Sequence, residues 1–456
     1  MTRVMGRFVS LEMAILGLCE LALSFLVIYT MLTLADTLTG LGQPSAVINL
    51  AAVVACTIVL TAATIGLYRP EICVERRRLL LNTGVAGLLA FPAVLVVIGS
   101  FHVDLSGHAV LWLGKALLIW LICIMASRLI FSRIMRERWF IRRILVLGSD
   151  TFVARLRLLA RDGRGRMFEP VAAPMGADGA AETPFSPSGL RRQRIWGIVV
   201  AHDPVVGDSQ SVPVRALLDC KLRGVPVYDE AGFCEQHLGR IDMDSIKADW
   251  LLFGDGFANG WIADTAKRSC DICVSLALLL LTLPLMLVTA LLIRIDSPGP
   301  VLYRQQRVGM HGKPFTLLKF RSMTIDAEEG GNPRWASQQD PRITRVGSFI
   351  RPMRIDELPQ LLNVLRGEMS MIGPRPERPH FVEQLAKIIP FYRERSYVKP
   401  GITGWAQVNY PYGASVEDAR QKLAYDLYYV KNRGFLLDLL ILLATIRVIL
   451  FREGAR

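Results

Sequence analysis

Long apolar runs separated by short polar loops dominate the first third of the chain. The runs cover residues 9–34, 46–67, 79–100 and 109–131. Each reaches the ~20 residues that a helix needs to cross about 30 Å of hydrocarbon. The pattern therefore predicts a four-helix transmembrane bundle in residues 1–135. Glu20 lies deep in the first run, where a carboxylate is expected to pair with a group inside the bundle.

The basic residues of the loops alternate along this region. The 35–45 and 101–108 loops contain no Lys or Arg, whereas the 68–78 loop contains four arginines and the segment from Arg128 to Arg143 contains six. Because basic loops stay on the cytoplasmic side, both ends of the four-helix unit are predicted to be cytoplasmic. The chain beyond about residue 132 then starts in the cytoplasm.

After Arg143 the pattern changes to an alternation of strands and helices. Apolar strands are predicted at 144–148, 195–201 and 225–228, helices at 151–161 and 212–223, and a loop at 163–193. This alternation predicts a small doubly wound, Rossmann-like α/β domain over residues 136–260. Gly148 is followed by Ser149-Asp150-Thr151, without the further glycines that let a backbone approach a pyrophosphate. A structural or regulatory domain is therefore favoured over a dinucleotide site.

A fifth apolar segment, 270–293, opens the remaining part of the chain, 261–456. Basic residues flank it on both sides, so a full crossing would place the rest of the chain outside the cell, against the charge rule. Pro284 lies in its middle and removes a backbone donor. We expect a helix that is broken at Pro284 and re-enters the leaflet it came from; the alternative is a fifth span with a tolerated proline. The short apolar segment 435–451 is expected to lie at the interface.

Composition supports a membrane protein that acts on anions. The mean hydropathy is +0.35 with 20% charged residues, which excludes a disordered chain and argues against an ordinary soluble enzyme. A net charge of +13 indicates phospholipid, phosphorylated substrates or nucleic acid as partners. No helix-turn-helix or RNA-binding signature occurs, so nucleic acid is not expected. Cys270 and Cys273 have C-x-x-C spacing but no second pair and no nearby histidine, so we expect no metal there.

The carboxylate pair Asp356-Glu357 is the main candidate for chemistry. It precedes an apolar helical pattern, so one interpretation is a helix cap with Pro359 in the first turn. The other interpretation uses the surrounding cations Arg351, Arg354 and Arg375, which would keep an aspartate ionised and hold phosphates. One carboxylate could then attack phosphorus while its neighbour binds Mg²⁺ together with substrate phosphates.

The motifs around this pair resemble those of the bacterial sugar transferase family, the monotopic phosphoglycosyl transferases. The matching strings are Lys-Phe-Arg-Ser-Met at 319–323, Asp-Glu-Leu-Pro-Gln at 356–360 with Asn363, Met-Ser-Met-Ile-Gly-Pro-Arg-Pro at 369–376 and Pro-Gly-Ile-Thr-Gly-Trp-Ala-Gln at 400–407. The resemblance covers residues 264–452. The predicted spans and α/β domain are similar in layout to the long members, the polyprenyl glycosylphosphotransferases.

The resemblance implies a mainly α C-terminal catalytic domain that faces the cytoplasm at the bacterial inner membrane. It would transfer hexose-1-phosphate from a UDP-hexose to undecaprenyl phosphate, release UMP, require Mg²⁺ and start exopolysaccharide or O-antigen assembly. Family analogy also suggests a homodimer. The implied roles are nucleophile for Asp356, metal ligand for Glu357 and Asp426, phosphate binding for Lys319, Arg321, Arg351 and Arg375, and the re-entrant break for Pro284.

Two other functions are weighed against this one. A membrane-bound nucleotide-sugar epimerase or dehydratase would need the glycine fingerprint and a Tyr-x-x-x-Lys pair, and the sequence contains neither. A non-enzymatic scaffold for polysaccharide assembly would tolerate Asp356→Asn.

Overall fold

The computed structural model divides the chain into two compact units, Met1–Leu238 and Gly239–Arg456. It describes residues 2–4, 7–9, 11–39, 44–65, 67–68, 76–100, 107–136, 142–147, 150–161, 168–172, 187–201, 214–244, 246, 260–325, 342–410, 413 and 415–451. The second unit begins at Gly239, ahead of residue 261, where the C-terminal domain is predicted to start. The predicted domain boundaries stay predictions.

Four long apolar helices form the N-terminal part of the first unit. A short hairpin, β1 (Thr2–Val4) and β2 (Arg7–Val9), precedes α1 (Leu11–Thr39), α2 (Pro44–Thr64), α3 (Arg76–Ser100) and α4 (Gly107–Arg136). Each of these four helices contains a stretch long and apolar enough to cross a membrane. All four contribute side chains to one apolar cluster, such as Ile28, Val54, Val94 and Trp120. The four predicted apolar helices are confirmed.

A buried ion pair joins α1 to α4. Arg128 Nη2 lies 2.6 Å from Glu20 Oε2, and Arg128 Nη1 also donates to the Leu67 carbonyl at 3.0 Å. Both charged side chains are almost fully buried. Since an unpaired buried charge is strongly destabilising, the pair explains how Glu20 is tolerated in an apolar helix. The expectation that Glu20 pairs inside this helical region is confirmed.

A four-stranded parallel sheet comes next, in the order β4 (Phe168–Ala172), β3 (Arg142–Leu147), β5 (Ile195–Val200), β6 (Val227–Asp229). The connecting helices are α5 (Asp150–Arg161), α6 (Pro187–Arg192), α7 (Val214–Leu222) and α8 (Glu230–Phe233), which continues as a π-helical turn, Cys234–Leu238. Ile144 packs with Phe152 on one face, and Leu145 packs with Leu217 on the other. Cover on both faces is why β3 is apolar from Ile144 to Leu147.

The prediction that residues 163–193 form only a loop is wrong, because β4 and α6 lie within them. Pro170 interrupts the apolar pattern of β4, and a proline is tolerated there because β4 is an edge strand. The turn that carries Gly148 and Ser149 lies outside the described residues, so the expectation that it binds no dinucleotide stays a prediction.

Helix α9 (Trp261–Asp296) opens the long apolar part of the second unit. Pro284 lies inside it, and helical residues continue on both sides of the proline. The re-entrant course of this segment stays a prediction. Thr282 Oγ1 donates to the Leu278 carbonyl at 2.7 Å, one turn before the proline. The 36 residues would extend for about 54 Å as a straight helix, more than a bilayer core requires.

Both halves of α9 pack against the same folded unit. Val274 and Leu278 join its main core, whereas Met286, Ala290 and Ile293 join a smaller cluster around Phe320 and Ile350. Leu358 contacts both clusters. The opposite face of the helix exposes large apolar side chains, namely Leu280, Leu281, Leu287, Val288, Leu291 and Ile295. The helix therefore lies along the unit and presents an apolar surface to its surroundings.

Short elements build the rest of the second unit. A hairpin, β7 (Leu302–Val308) and β8 (Pro314–Phe320), is followed by α10 (Arg345–Ile350), α11 (Gln360–Arg366) and β9 (Ser370–Ile372). Then come α12 (Pro379–Ile388), β10 (Gly401–Thr403), α13 (Trp405–Asn409), α14 (Val416–Asn432) and α15 (Phe435–Phe451), with β10 parallel to β9. Side chains of α13, α14 and β9 form the centre of the main core, and Leu437 and Ile441 of α15 are buried against it.

The docking segment, residues 239–246 with Ser245 outside the described residues, belongs to this second unit. Ile241 and Met243 are buried in the main core. The Ile241 amide donates to the Ala424 carbonyl at 3.0 Å, and Trp405 Nε1 donates to the Gly239 carbonyl at 2.8 Å. These contacts explain why the compact unit starts at Gly239.

Candidate functional site

The Asp356-Glu357 pair lies in a short 3₁₀ turn, Ile355–Glu357, between α10 and α11. Helix α11 begins only at Gln360, with Pro359 at its N-cap and no side-chain cap. The helix-cap interpretation of Asp356 is therefore wrong. Arg354 initiates the turn with φ of 57°, a left-handed conformation that costs energy for a residue with a Cβ. Such strain often occurs where the surrounding structure fixes a functional turn.

Glu357 is the more tightly held of the two carboxylates. Lys319 Nζ and Arg375 Nη2 each lie 2.8 Å from Glu357 Oε1, and Arg354 Nη1 lies 3.7 Å from it. Burial acts to raise the pKa of Glu357, but the three cations outweigh it and hold this pKa well below its ordinary value. Glu357 is therefore an ionised carboxylate with fixed partners.

Asp356 has a different environment although it is the adjacent residue. It is 9% exposed, and within the described residues no donor hydrogen-bonds its carboxylate. Burial raises the pKa of Asp356 to about 6, opposed by Lys319 and supported by the charge of Glu357. The nearby cations therefore do not lower this pKa as the sequence predicts, because the burial of the carboxylate outweighs them. Neighbouring carboxylates whose pKa values are pushed apart commonly have different chemical roles.

The amide of Asn363 fixes the strand that carries Lys319. Asn363 is fully buried on α11; its Oδ1 accepts from the Leu318 amide at 3.0 Å and its Nδ2 donates to the Thr316 carbonyl at 2.8 Å. Nδ2 also donates to Glu368 at 2.7 Å. These bonds fasten β8 to α11, so Lys319 and Glu357 are held in register.

Close backbone packing between β9 and β10 positions the loop that carries Arg375. A Cβ on Gly373 would lie 2.2 Å from the Lys399 carbonyl oxygen, and one on Gly401 would lie 2.0 Å from the Gly373 nitrogen. Only glycine fits at such an approach. The glycines in the Gly-Pro-Arg-Pro and Pro-Gly-Ile-Thr-Gly strings thus serve to bring two backbones together beside the site.

Two of the predicted phosphate-binding arginines make no contact with the carboxylate pair among the described interactions. The Arg321 guanidinium is buried and donates to the Ser297 and Pro298 carbonyls at 2.7 and 2.8 Å. It thereby fastens the turn that ends α9, where Gly299 has φ of 113° and its Cβ would lie 2.4 Å from Arg321 Nη1. Arg351 is half-buried in the turn before the carboxylate pair. Of the four predicted cations, the structure brings Lys319 and Arg375 to Glu357.

Asp426 is also separate from the carboxylate pair in its contacts. It pairs with Arg395 at 2.7 Å between Oδ2 and Nη2. Among the described residues, no group of three or more His, Cys, Asp or Glu is arranged to hold a metal. Sequence reasoning missed Arg395, because its spacing in the chain does not distinguish it from surface arginines.

Comparison with known proteins identifies the family. The sequence model described as bacterial sugar transferase matches residues 262–452, which contain every residue of the site. A UDP-glucose:undecaprenyl-phosphate glucose-1-phosphate transferase of Caulobacter vibrioides is 43% identical over 260 residues, which cover 57% of this chain and 96% of that protein. The chain belongs to the bacterial sugar transferase family.

Two longer relatives of this family also match. A UDP-N-acetylgalactosamine-undecaprenyl-phosphate N-acetylgalactosaminephosphotransferase of Aeromonas hydrophila is 44% identical over 262 residues, 56% of this chain. An undecaprenyl-phosphate glucose phosphotransferase of Komagataeibacter xylinus is 33% identical over 331 residues, 69% of this chain. The matches span 61% and 60% of these two relatives, about three fifths of their length.

Proposed function

We propose that this sugar transferase moves a hexose-1-phosphate from a UDP-hexose to undecaprenyl phosphate and thereby starts the assembly of a polysaccharide repeat unit. The observation that carries the proposal is the buried carboxylate pair ringed by Lys319, Arg354 and Arg375 within the region shared with the relatives. The names of those relatives give this type of reaction, with glucose in some and N-acetylgalactosamine in another.

Asp356 is the nucleophile in this proposal. One of its oxygens attacks the phosphorus that bears the sugar; a new Asp–phosphorus bond forms, and the bond to the bridging diphosphate oxygen breaks, so UMP leaves with the electron pair. An oxygen of undecaprenyl phosphate then attacks the same phosphorus and displaces the Asp356 carboxylate. Among the described residues none donates a hydrogen bond to this carboxylate, which in its ionised form suits attack, and the nearby cations would offset charge on the transferred phosphoryl group.

Glu357 orders the cations around the reacting phosphate. Its ion pairs fix Lys319 and Arg375 beside Asp356, so their donors are set in place before substrate arrives. Guanidinium groups bind phosphoryl oxygens through paired hydrogen bonds, a role for which Arg375 and Arg351 remain candidates. Arg321 is a weaker candidate, since its guanidinium already donates to backbone carbonyls.

The carboxylate pair fits the donor set of Mg²⁺. This ion usually binds one or two carboxylates together with substrate phosphates, and two adjacent hard oxygen donors are present. Glu357, with Asp356 beside it, would hold the ion. When bound, Mg²⁺ would neutralise charge on the diphosphate.

The proposal also includes the placement of the catalytic unit on the cytoplasmic face of the bacterial inner membrane, with α9 as a re-entrant helix. Both halves of α9 pack on the same unit, which supports entry and exit through one leaflet. The charge pattern of the loops supports the cytoplasmic side. A catalytic unit at this face could bind the soluble UDP-hexose first and the undecaprenyl phosphate of the membrane second.

The direct test is UMP release by the detergent-solubilised protein, supplied with undecaprenyl phosphate, Mg²⁺ and a panel of UDP-glucose, UDP-galactose and their N-acetyl forms. We expect turnover with at least one donor and a loss of ~10³-fold or more in Asp356→Asn. Asp219→Asn, which changes an exposed aspartate of α7, is the matched control and should keep full activity. Activity in Asp356→Asn that equals the control would reject the proposed nucleophile.

A further inference from the structure

Two arginines, the half-buried Arg307 and the buried Arg395, hold the backbone of the loop that carries Arg375. Arg395 Nη2 donates to the Arg375 carbonyl at 3.0 Å, and Arg307 Nη1 donates to the next carbonyl, that of Pro376, at 2.9 Å. The Val308 amide donates to the Glu377 carbonyl at 2.9 Å. Successive carbonyls of the loop are therefore fixed from β7 on one side and from the 3₁₀ turn Arg393–Tyr397 on the other.

Asp426 holds the Arg395 guanidinium in place. Asp426 Oδ2 lies 2.7 Å from Arg395 Nη2, and the two side chains are 2% and 8% exposed. Arg395 Nη1 also donates to the Tyr392 hydroxyl at 2.9 Å. Burial raises the pKa of Asp426 to about 6, an effect that Arg395 opposes, and Asp426 in turn holds the pKa of Arg395 above its ordinary value against burial. Each charge is thus tolerated in the interior because of the other.

A continuous chain of contacts links this pair to the site. It runs from Asp426 on α14 through Arg395 to the Arg375 backbone, and from the Arg375 guanidinium to Glu357 at 2.8 Å. The carboxylate of Asp426 is turned to Arg395, and within the described residues no third acid joins it and Glu357 in a metal-binding group. Position errors of about 1 Å in such supporting residues can lower turnover ~100-fold.

We propose that Asp426 and Arg395, with Arg307, are positioning residues that set the Arg375 guanidinium against Glu357, and that Asp426 acts through Arg395 and not as a ligand of Mg²⁺. This proposal rests on the proposed function, because the readout is UMP release. It assigns to Asp426 a role different from the metal ligation that the family resemblance implies. The positioning set consists of side chains from β7, the 393–397 turn and α14, three elements far apart in the chain.

The test compares Asp426→Asn and Arg395→Lys with the wild-type full chain in kcat, in KM for the UDP-hexose and in the Mg²⁺ concentration that gives half-maximal rate. We expect Asp426→Asn to lower kcat/KM ~10- to 100-fold and to leave the Mg²⁺ half-saturation within about twofold of wild type. Arg395→Lys should show the same pattern, because one ammonium cannot reach Asp426, Tyr392 and the Arg375 carbonyl together. Glu417→Gln, exposed on the same helix, is the control and should leave all three constants unchanged.

The second readout is the activity of the double variant that combines Asp426→Asn with Arg375→Ala. If Asp426 acts through the loop, adding Asp426→Asn to Arg375→Ala should lower activity less than about threefold beyond Arg375→Ala alone. Independent, multiplicative losses would overturn the proposal, and so would a rise of about tenfold or more in the Mg²⁺ half-saturation of Asp426→Asn. If Asp426→Asn does not fold, Arg307→Lys serves the same comparison through the Pro376 carbonyl.

Failure of this proposal and failure of the proposed function give different results. A wild-type protein that releases no UMP from any donor contradicts both. Wild-type activity that is lost in Asp356→Asn but unchanged in Asp426→Asn contradicts the positioning role alone.

Discussion

At the scale of single residues, Asp356 and Glu357 are similar carboxylates one position apart, and their surroundings give them different properties. Glu357 accepts from Lys319 and Arg375, which keep its pKa low, whereas burial raises the pKa of Asp356 to about 6. The left-handed backbone of Arg354 starts the turn in which both acids lie. Local geometry therefore separates a carboxylate held by fixed cations from one whose pKa is raised by burial.

Asn363→Ala should destabilise the catalytic unit by about 2–4 kcal/mol, because it leaves the buried Leu318 amide and Thr316 carbonyl without their partner. Thermal unfolding followed by tryptophan fluorescence would measure the change. Asn409→Ala is the control: Asn409 is half-buried and donates one hydrogen bond to the Trp405 carbonyl at 2.8 Å, so its loss should cost under about 1 kcal/mol. Equal losses of stability in the two variants would contradict the role of Asn363 in holding β8 against α11.

The sequence predicts the residues of the site better than their individual contacts. The Asp-Glu pair, Lys319 and Arg375 are predicted by motif, and the structure brings the two cations to Glu357. The contact of Arg321 with Ser297 and that of Asp426 with Arg395 join positions that are 24 and more residues apart. Motif spacing carries no information on which carbonyl or acid such a side chain reaches after folding.

At the scale of elements, α9 and the docking segment 239–246 depart most from expectation. Helical periodicity cannot show whether a proline ends or only interrupts the backbone hydrogen bonds, and here the helix continues through Pro284. The docking segment is short and polar on average, so nothing in its pattern marks Ile241 and Met243 as core residues of the second unit. Tertiary packing decides both features.

A fragment of residues 239–456 should be more stable than one of residues 261–456. The longer fragment buries Ile241 and Met243, each worth about 1.5–3 kcal/mol when removed from water. Melting temperatures of the two fragments in the same detergent would measure the difference. Ile241→Ala in the longer fragment should give an intermediate value, and identical melting of all three would show that the docking segment adds nothing.

Single cysteines at positions 260 and 300 test the re-entrant course of α9, once the eight native cysteines are replaced by serine. Both positions are exposed and lie at opposite ends of the helix. We expect an impermeant maleimide to label neither in intact spheroplasts and both after permeabilisation. Labelling of Pro300→Cys alone in intact spheroplasts would show that α9 crosses the membrane.

At the scale of the whole molecule, all residues of the site lie in the second compact unit, Gly239–Arg456, and the family match covers 262–452. The first unit adds four apolar helices and a parallel sheet. The four apolar helices of the first unit and the strands β3, β5 and β6 of its sheet are predictable, since strong hydrophobic periodicity identifies long helices and buried strands. The edge strand β4 is not, because its proline and polar neighbours hide the pattern.

The fragment of residues 239–456 should therefore keep UMP release within about tenfold of the full chain when the lipid substrate is supplied in detergent. The match with the Caulobacter relative covers 96% of that protein but only 57% of this chain. That relative is therefore shorter than this chain, which supports activity in a shorter fragment. Steady-state rates of the two proteins at matched lipid and donor concentrations would give the ratio. Complete loss of activity in a fragment that melts cooperatively would assign part of the chemistry to the first unit.

The most direct measurement is mass spectrometry of the protein quenched in acid after brief exposure to its UDP-hexose without undecaprenyl phosphate. Transient attachment of hexose phosphate to the Asp356 carboxylate predicts a peptide containing residue 356 that is heavier by one hexose phosphate, and adding undecaprenyl phosphate before the quench should remove it. UMP release at the normal rate with no such peptide, or with the adduct on a different residue, would contradict the account.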